Sequence, residues 1–256
     1  FLHSPGAGTA SEWKPPPFDI RLGGTQLALV RQADLVIRGD VDLRLQHGQT
    51  NAPGLGGTVV LGRSFVLSDL EAVVGKRVQA PSRPPPFFSV EQEPFAGWGL
   101  EVDIQGDECL HARSPFYTGV HSIRLKLRGT LRDPVLLGDA RVVRGALTFP
   151  YATLPVRQGL VVLTEADPAR PRVQASAGGR AFGYDVILDV SGALTEPAIR
   201  FSSSPALGSE DILLMITAGK LPRQQMNSAA ADRLSKLALL FGKDLMNKLG
   251  KPGSGE

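Results

Sequence analysis

The sequence predicts a mainly β protein of many short strands that ends in one short and one longer α-helix. Three observations predict it. One unit is written twice, as Ile123-Arg-Leu125-Lys-Leu127-Arg-Gly129-Thr-Leu131-Arg-Asp133-Pro134 and as Val186-Ile-Leu188-Asp-Val190-Ser-Gly192-Ala-Leu194-Thr-Glu196-Pro197. In each copy apolar residues alternate with mostly polar ones up to a glycine, and a leucine, an acid and a proline follow. Alternation at period two puts the apolar side chains on one face of a strand. The glycine permits a bend and the proline cannot donate to a central ladder, so each copy spells strand, break, new strand. Ile187 breaks the alternation in the second copy. Composition agrees: 29 Gly and 20 Pro in 256 residues imply many turns yet fall short of a low-complexity chain. Finally, the apolar period lengthens to three or four only after Pro205, which confines helix to the C-terminal part.

Taken in order, Phe1 to Pro17 is rich in Gly, Ser and Pro and is expected to be an extended lead-in. Strand signals begin with Phe18, Ile20 and Leu22, then Leu27 and Leu29. The cleanest alternation of the N-terminal half comes next, with Leu35, Ile37, Val41, Leu43 and Leu45 on one face and Arg38, Asp40, Asp42 and Arg44 on the other. After a turn-rich break at Asn51 to Gly57, Thr58 to Leu67 is expected to be a strand pair around Gly62. Leu70 to Val78 fits helix or strand equally. Ala80 to Phe88, with three consecutive prolines, favours polyproline II and is the expected linker or long loop.

Beyond it, Trp98, Leu100, Val102 and Ile104 alternate with Gly99, Glu101, Asp103 and Gln105, and the first repeated unit comes after them. Ala140 to Phe149, Leu160 to Leu163 and Val173 to Ala177 continue the pattern at the spacing of a meander or solenoid. Ser209-Glu210-Asp211 then starts a helix, with the serine as cap and two acids facing its positive end. Ile212 to Ile216 is apolar nearly all round, so this helix is expected to be buried and to stop near Gly219. A second helix is signalled from Ser228, its apolar face carrying Ala230, Leu234, Leu237, Ala238, Phe241 and Leu245, with an end at Gly250. The expected organisation is residues 1–95 as an N-terminal β segment ending in the proline-rich stretch, 96–222 as a second β domain, and 223–256 as helix and tail.

Several function classes are disfavoured. A formal charge of +3, aromatics at 6% and no basic run interleaved with aromatics argue against nucleic acid. The single cysteine, Cys109, rules out an internal disulfide framework. No run of about 18 apolar residues is present to span a bilayer as a helix. The chain opens at Phe1 without a basic or apolar leader and is expected to be a piece of a longer protein.

Catalytic signatures are missing as well. Neither Gly6-Ala-Gly8 nor Gly54-Leu-Gly56-Gly57 has the strand before and helix after that a phosphate cradle needs. Glu108, Cys109 and His111 form at most an incomplete metal set. Asp40 with Asp42 and Glu101 with Asp103 could suggest a carboxylate pair, but alternate positions on a polar strand face explain them more simply. No enzyme, metal or cofactor is expected.

The run Gly138-Asp-Ala-Arg-Val-Val-Arg-Gly145-Ala-Leu-Thr-Phe149, then Gly159-Leu-Val-Val-Leu163, Gly192-Ala-Leu-Thr-Glu-Pro197 and Phe201-Ser-Ser-Ser-Pro205-Ala-Leu207-Gly-Ser-Glu-Asp211-Ile-Leu213 resembles the C-terminal domain of the TamB family. The resemblance covers about Trp98 to Gly219. It implies a long curled, taco-like β-sheet with an apolar concave face, kin to AsmA-type bridge proteins. It also implies a periplasmic location below an inner-membrane anchor helix that is not in this sequence. The implied partners are phospholipid acyl chains and an outer-membrane barrel assembly protein of the TamA or BamA type. The implied work is phospholipid transport to the outer membrane, or assembly of outer-membrane proteins by strand pairing.

If successive strands lay their apolar faces along one trough, its lining is Val41, Leu43, Leu45, Leu100, Val102, Ile104, Ile123, Leu125, Leu127, Val173, Val186, Leu188, Val190, Ile199 and Phe201. The same alternation builds the closed core of any β-sandwich, so the sequence leaves open groove and closed core side by side.

Overall fold

A computed structural model of the chain describes residues 16–48, 53–67 and 88–220. Eleven strands form one long curled, mixed sheet. They are β1 (Phe18–Arg31), β2 (Leu35–His47), β3 (Gly54–Leu61), β4 (Ser64–Leu67), β5 (Gly99–Arg113), β6 (Tyr117–Thr130), β7 (Pro134–Phe149), β8 (Ala152–Thr164), β9 (Asp167–Ala181), β10 (Tyr184–Ala193) and β11 (Glu196–Ser204), with helix α1 (Ser209–Ala218) after them. The expected lead-in up to residue 15, the 70–78 stretch, the proline-rich run up to residue 87 and the helix from Ser228 lie outside the described residues.

Strand order matches chain order, and neighbours are antiparallel except where β3 and β4 lie parallel to β5. The strands on the two sides of the proline-rich stretch thus share one hydrogen-bonded sheet. The strand pair expected around Gly62 is instead one interrupted strand: β3 and β4 run in the same direction, and both sit between β2 and β5. The reason is local. The Gly62 N–H donates to the Arg38 carbonyl at 2.8 Å, and the buried Ser64 hydroxyl accepts from the Arg38 N–H at 3.0 Å while donating to the Gly62 carbonyl. The chain is held against β2 through the kink and never reverses.

The doubled unit folds the same way twice. Gly129 stands opposite Pro134 across the β6–β7 turn, and Gly192 opposite Pro197 across the β10–β11 turn. Both glycines have positive φ, 93° and 113°, a conformation that costs little without a Cβ. Ile187, the breach in the alternation, keeps the ladder's register and points to the polar face opposite Gly178 and Ser202.

Helix α1 lies across one face of the C-terminal strands. Its buried Ile212, Leu213, Met215 and Ile216 form a core with Leu154, Ala177, Val186, Leu188 and Phe201. Ser209, expected as its cap, is the first helical residue; Gly208 takes the cap position in extended conformation without a side-chain bond. The Ser209 hydroxyl donates instead to the Phe201 carbonyl at 3.2 Å, tying the helix to β11. The helix ends as expected at Gly219, in the left-handed region, with its N–H donating to the Met215 carbonyl.

Candidate functional site

The register decides which side chains share a face, because directly opposed residues in a ladder point the same way. Across the sheet, Leu22, Leu43, Gly57, Val102, Leu127 and Leu136 form one row. Val41, Val59, Ile104, Leu125, Gly138 and Leu163 form the next. Towards the C-terminus the same face continues as Val173 opposite Gly192, Val190 opposite Ile199, and Leu188 opposite Phe201. Every residue expected from the sequence to line the trough therefore lies on one face.

Their burial divides them. Val41, Leu43, Leu45, Ile104, Leu125, Leu127, Val173, Val190 and Ile199 are half-buried, whereas Leu100, Val102, Ile123, Val186, Leu188 and Phe201 are buried. For Val186, Leu188 and Phe201 the cover is α1, with Val190 and Ile199 at the margin of that core. Beneath α1 this face is a closed core, whereas Val161 and Val173 of the same face are half-buried and lie outside it. Among the described elements α1 packs across the sheet, strands touch their ladder neighbours, and β7 approaches β9. Ile20, Leu22, Leu55, Val59, Leu136 and Val161 belong to the same face, although sequence reasoning does not single them out as lining. Alternation is present at Leu55, Gly57 and Val59, but the glycines hide it.

Two polar side chains also sit on this face without being left unpaired. The Tyr117 hydroxyl is 2.9 Å from His121 Nε2, and His121 Nδ1 is 3.1 Å from the Leu110 carbonyl. Since the carbonyl can only accept, Nδ1 carries the proton and Nε2 accepts from the phenol. Burial pushes the Tyr117 phenol pKa up.

The opposite face is polar and laced across strands. Arg21 makes two 2.8 Å bonds to Asp42, Arg44 reaches Asp19, and Arg128 bonds Asp103 at 2.8 Å. Hydrogen bonds from these arginines hold the Asp42 and Asp19 carboxyls below the usual range. Asp40 accepts the Gln26 N–H at 2.7 Å. Asp40, Asp42 and Asp103, three of the carboxylates considered in pairs, are thus committed to neighbouring strands. Glu108 pairs with Arg144 at 2.8 Å, His111 stacks on Phe65 at 5.3 Å, and the buried Cys109 points its sulfur at the His121 carbonyl, so these three do not converge. Desolvation pushes the Cys109 thiol up, away from a reactive thiolate.

The family comparison agrees with this architecture. The model of the TamB C-terminal domain matches residues 6–252. The chain belongs to the TamB family. The match extends on both sides of the Trp98–Gly219 region, so the segment before the proline-rich stretch is TamB domain too. Comparison with curated proteins finds no match. TamB proteins are proteins of the cell envelope that serve outer-membrane assembly together with an outer-membrane partner. No helix among the described residues of this TamB domain is long and apolar enough to cross a membrane.

Proposed function

We propose that this TamB domain is a non-enzymatic, periplasmic bridge segment that shields phospholipid acyl chains on the apolar face of β1–β7 during transport from the inner to the outer membrane. The observation that carries the reading is the shared apolar face from β1 to β7, on which Val41, Leu43, Leu125 and Leu127 stay half-buried while Leu100, Val102 and Ile123 are buried. Aliphatic side chains are what an acyl chain needs. At about 0.8 kcal/mol per methylene, two chains of about sixteen carbons meet a barrier of the order of 20 kcal/mol in bare water. A periodic apolar wall removes most of that barrier without one tight site. The work asks for no catalytic group, and Asp42 and Asp103 of the polar face are already used in pairing strands.

A photo-crosslinking residue at Leu125, in the full-length protein in cells, should yield phospholipid adducts. The same residue at Leu188, beneath α1, should yield none. Absence of lipid adducts at Leu125 overturns the proposal.

A second reading has its own support. β1 is 14 residues long, pairs only with β2 among the described residues, and exposes Ile20, Leu22, Leu27 and Leu29. An exposed apolar edge is a template for strand addition, as in a scaffold that pairs with a barrel assembly protein of the TamA or BamA type or its client. Protein adducts at Leu29 without lipid adducts at Leu125 would favour it.

A further inference from the structure

Within the described residues, two buried side-chain nitrogens have no hydrogen-bond partner, Trp98 Nε1 and His47 Nδ1. They are neighbours through one ring. The Phe18 ring centroid is 5.8 Å from both the His47 and the Trp98 rings, and the Phe95 ring meets Trp98 edge-on at 5.1 Å. Trp98 is 6% exposed. A buried indole N–H without an acceptor costs stability, and such groups are rare in folded proteins.

Their place in the sheet gives the cost a use. Phe18 and His47 are opposed at the end of the β1–β2 ladder, on the apolar face, beside an open hollow of about 420 Å³ that both line. Trp98 immediately precedes β5 at the same end. Two residues into these strands, Ile20, Leu45, Leu55 and Leu100 are in register as an apolar row. Apolar wall and orphaned nitrogens meet at one margin of the sheet.

We propose that Trp98, with His47, forms a polar end-stop for an acyl chain. The chain lies on the Ile20–Leu45–Leu55–Leu100 row, and an oxygen at its head accepts the Trp98 indole N–H. The ligand class is an apolar chain ending in a hydrogen-bond acceptor: a fatty carboxylate, or the ester or phosphate oxygens of a phospholipid. His47 Nδ1 completes the contact as donor or acceptor according to its tautomer. The inference rests on the proposed lipid-shielding function and deepens it by naming where the polar end is held.

The test reads the indole N–H directly. The full chain has two tryptophans, Trp13 and Trp98, so loss of one cross-peak in Trp98→Phe assigns the Trp98 signal in a ¹⁵N–¹H spectrum. The probes are palmitic acid, palmitoyl lysophosphatidylcholine and dodecane, with binding measured separately by native mass spectrometry. The Trp98 N–H proton should move downfield with the first two and not with dodecane. A shift with palmitic acid alone assigns the contact to a free carboxylate, and one with the lysolipid alone to ester or phosphate oxygens.

Trp98→Phe keeps an aromatic ring and removes the donor. It should melt no lower than the parent chain, retain dodecane, and bind the acceptor-bearing probe about fivefold more weakly, the effect of one ordinary hydrogen bond. Lipid binding with no movement of the Trp98 signal, or equal movement with dodecane, overturns the end-stop and leaves the trough standing. Failure of all three probes to bind overturns both.

Discussion

Replacing Val186 and Leu125 in turn by asparagine separates closed core from open face within a single sheet. Both residues lie on the apolar face and both are in strands, so the penalty of asparagine's poor strand propensity enters both and cancels in the difference. Val186 is 0% exposed and packed in the core under α1. Val186→Asn loses about 1.5–3 kcal/mol of side-chain burial and leaves an amide without partners, which costs about 1–3 kcal/mol more. A total near 4 kcal/mol takes a large share of the roughly 5–15 kcal/mol that holds an ordinary domain together. Leu125 is half-buried, so Leu125→Asn loses about half of a leucine's burial, about 1 kcal/mol, and its amide stays hydrated. Urea titration monitored by circular dichroism should therefore show the midpoint falling several times further for Val186→Asn than for Leu125→Asn, at similar slope. Equal losses would mean that Leu125 is sealed like Val186, and the trough between β1 and β7 would have no physical basis.

The doubled unit supplies a second comparison. At Gly129 a Cβ would meet the Asp133 carbonyl oxygen at 2.4 Å, whereas at Gly192 its nearest neighbour would be 3.7 Å away. Gly192→Ala should cost only the strain of a positive φ, about 1–2 kcal/mol, and Gly129→Ala distinctly more, as read by thermal or urea melts. Ser64→Ala should cost about 1–2 kcal/mol, because the Arg38 N–H loses its acceptor at a buried site; Ser64→Cys should recover little, since a thiol is a weak acceptor.

Alternation makes the strands legible, because a two-residue period survives any tertiary context that buries one face. Val41, Leu43 and Leu45 can be placed on one face of β2 without knowing their neighbours, and the register bears this out. β3 is harder. Its glycines at 54, 56 and 57 erase the period, and the kink at Gly62 looks in sequence like a hairpin turn although the chain runs straight on. Ser209 shows another limit: a serine before two acids is a cap signal, but its hydroxyl is drawn off to the Phe201 carbonyl of the preceding strand. Sequence spacing carries local hydrogen-bond options, and it does not carry which distant carbonyl competes for them.

The same limit explains why lining and core cannot be told apart in sequence along one apolar face. Leu125 in β6 and Leu188 in β10 occupy the same position in the two copies of the unit, and each has an apolar residue two places before and two places after it. The difference comes from the chain beyond β11. It turns back at Pro205, and α1 is pinned to the sheet at both ends, by the Ser209 hydroxyl on Phe201 and by the Tyr151 N–H on the Ile216 carbonyl at 3.0 Å. With four fully or nearly fully buried side chains between those two ties, α1 is a fixed part of the core and not a lid. An acyl chain held along β1–β7 would therefore meet α1 where it covers Val186, Leu188 and Phe201, while the Val161–Val173 row beside it stays half-buried.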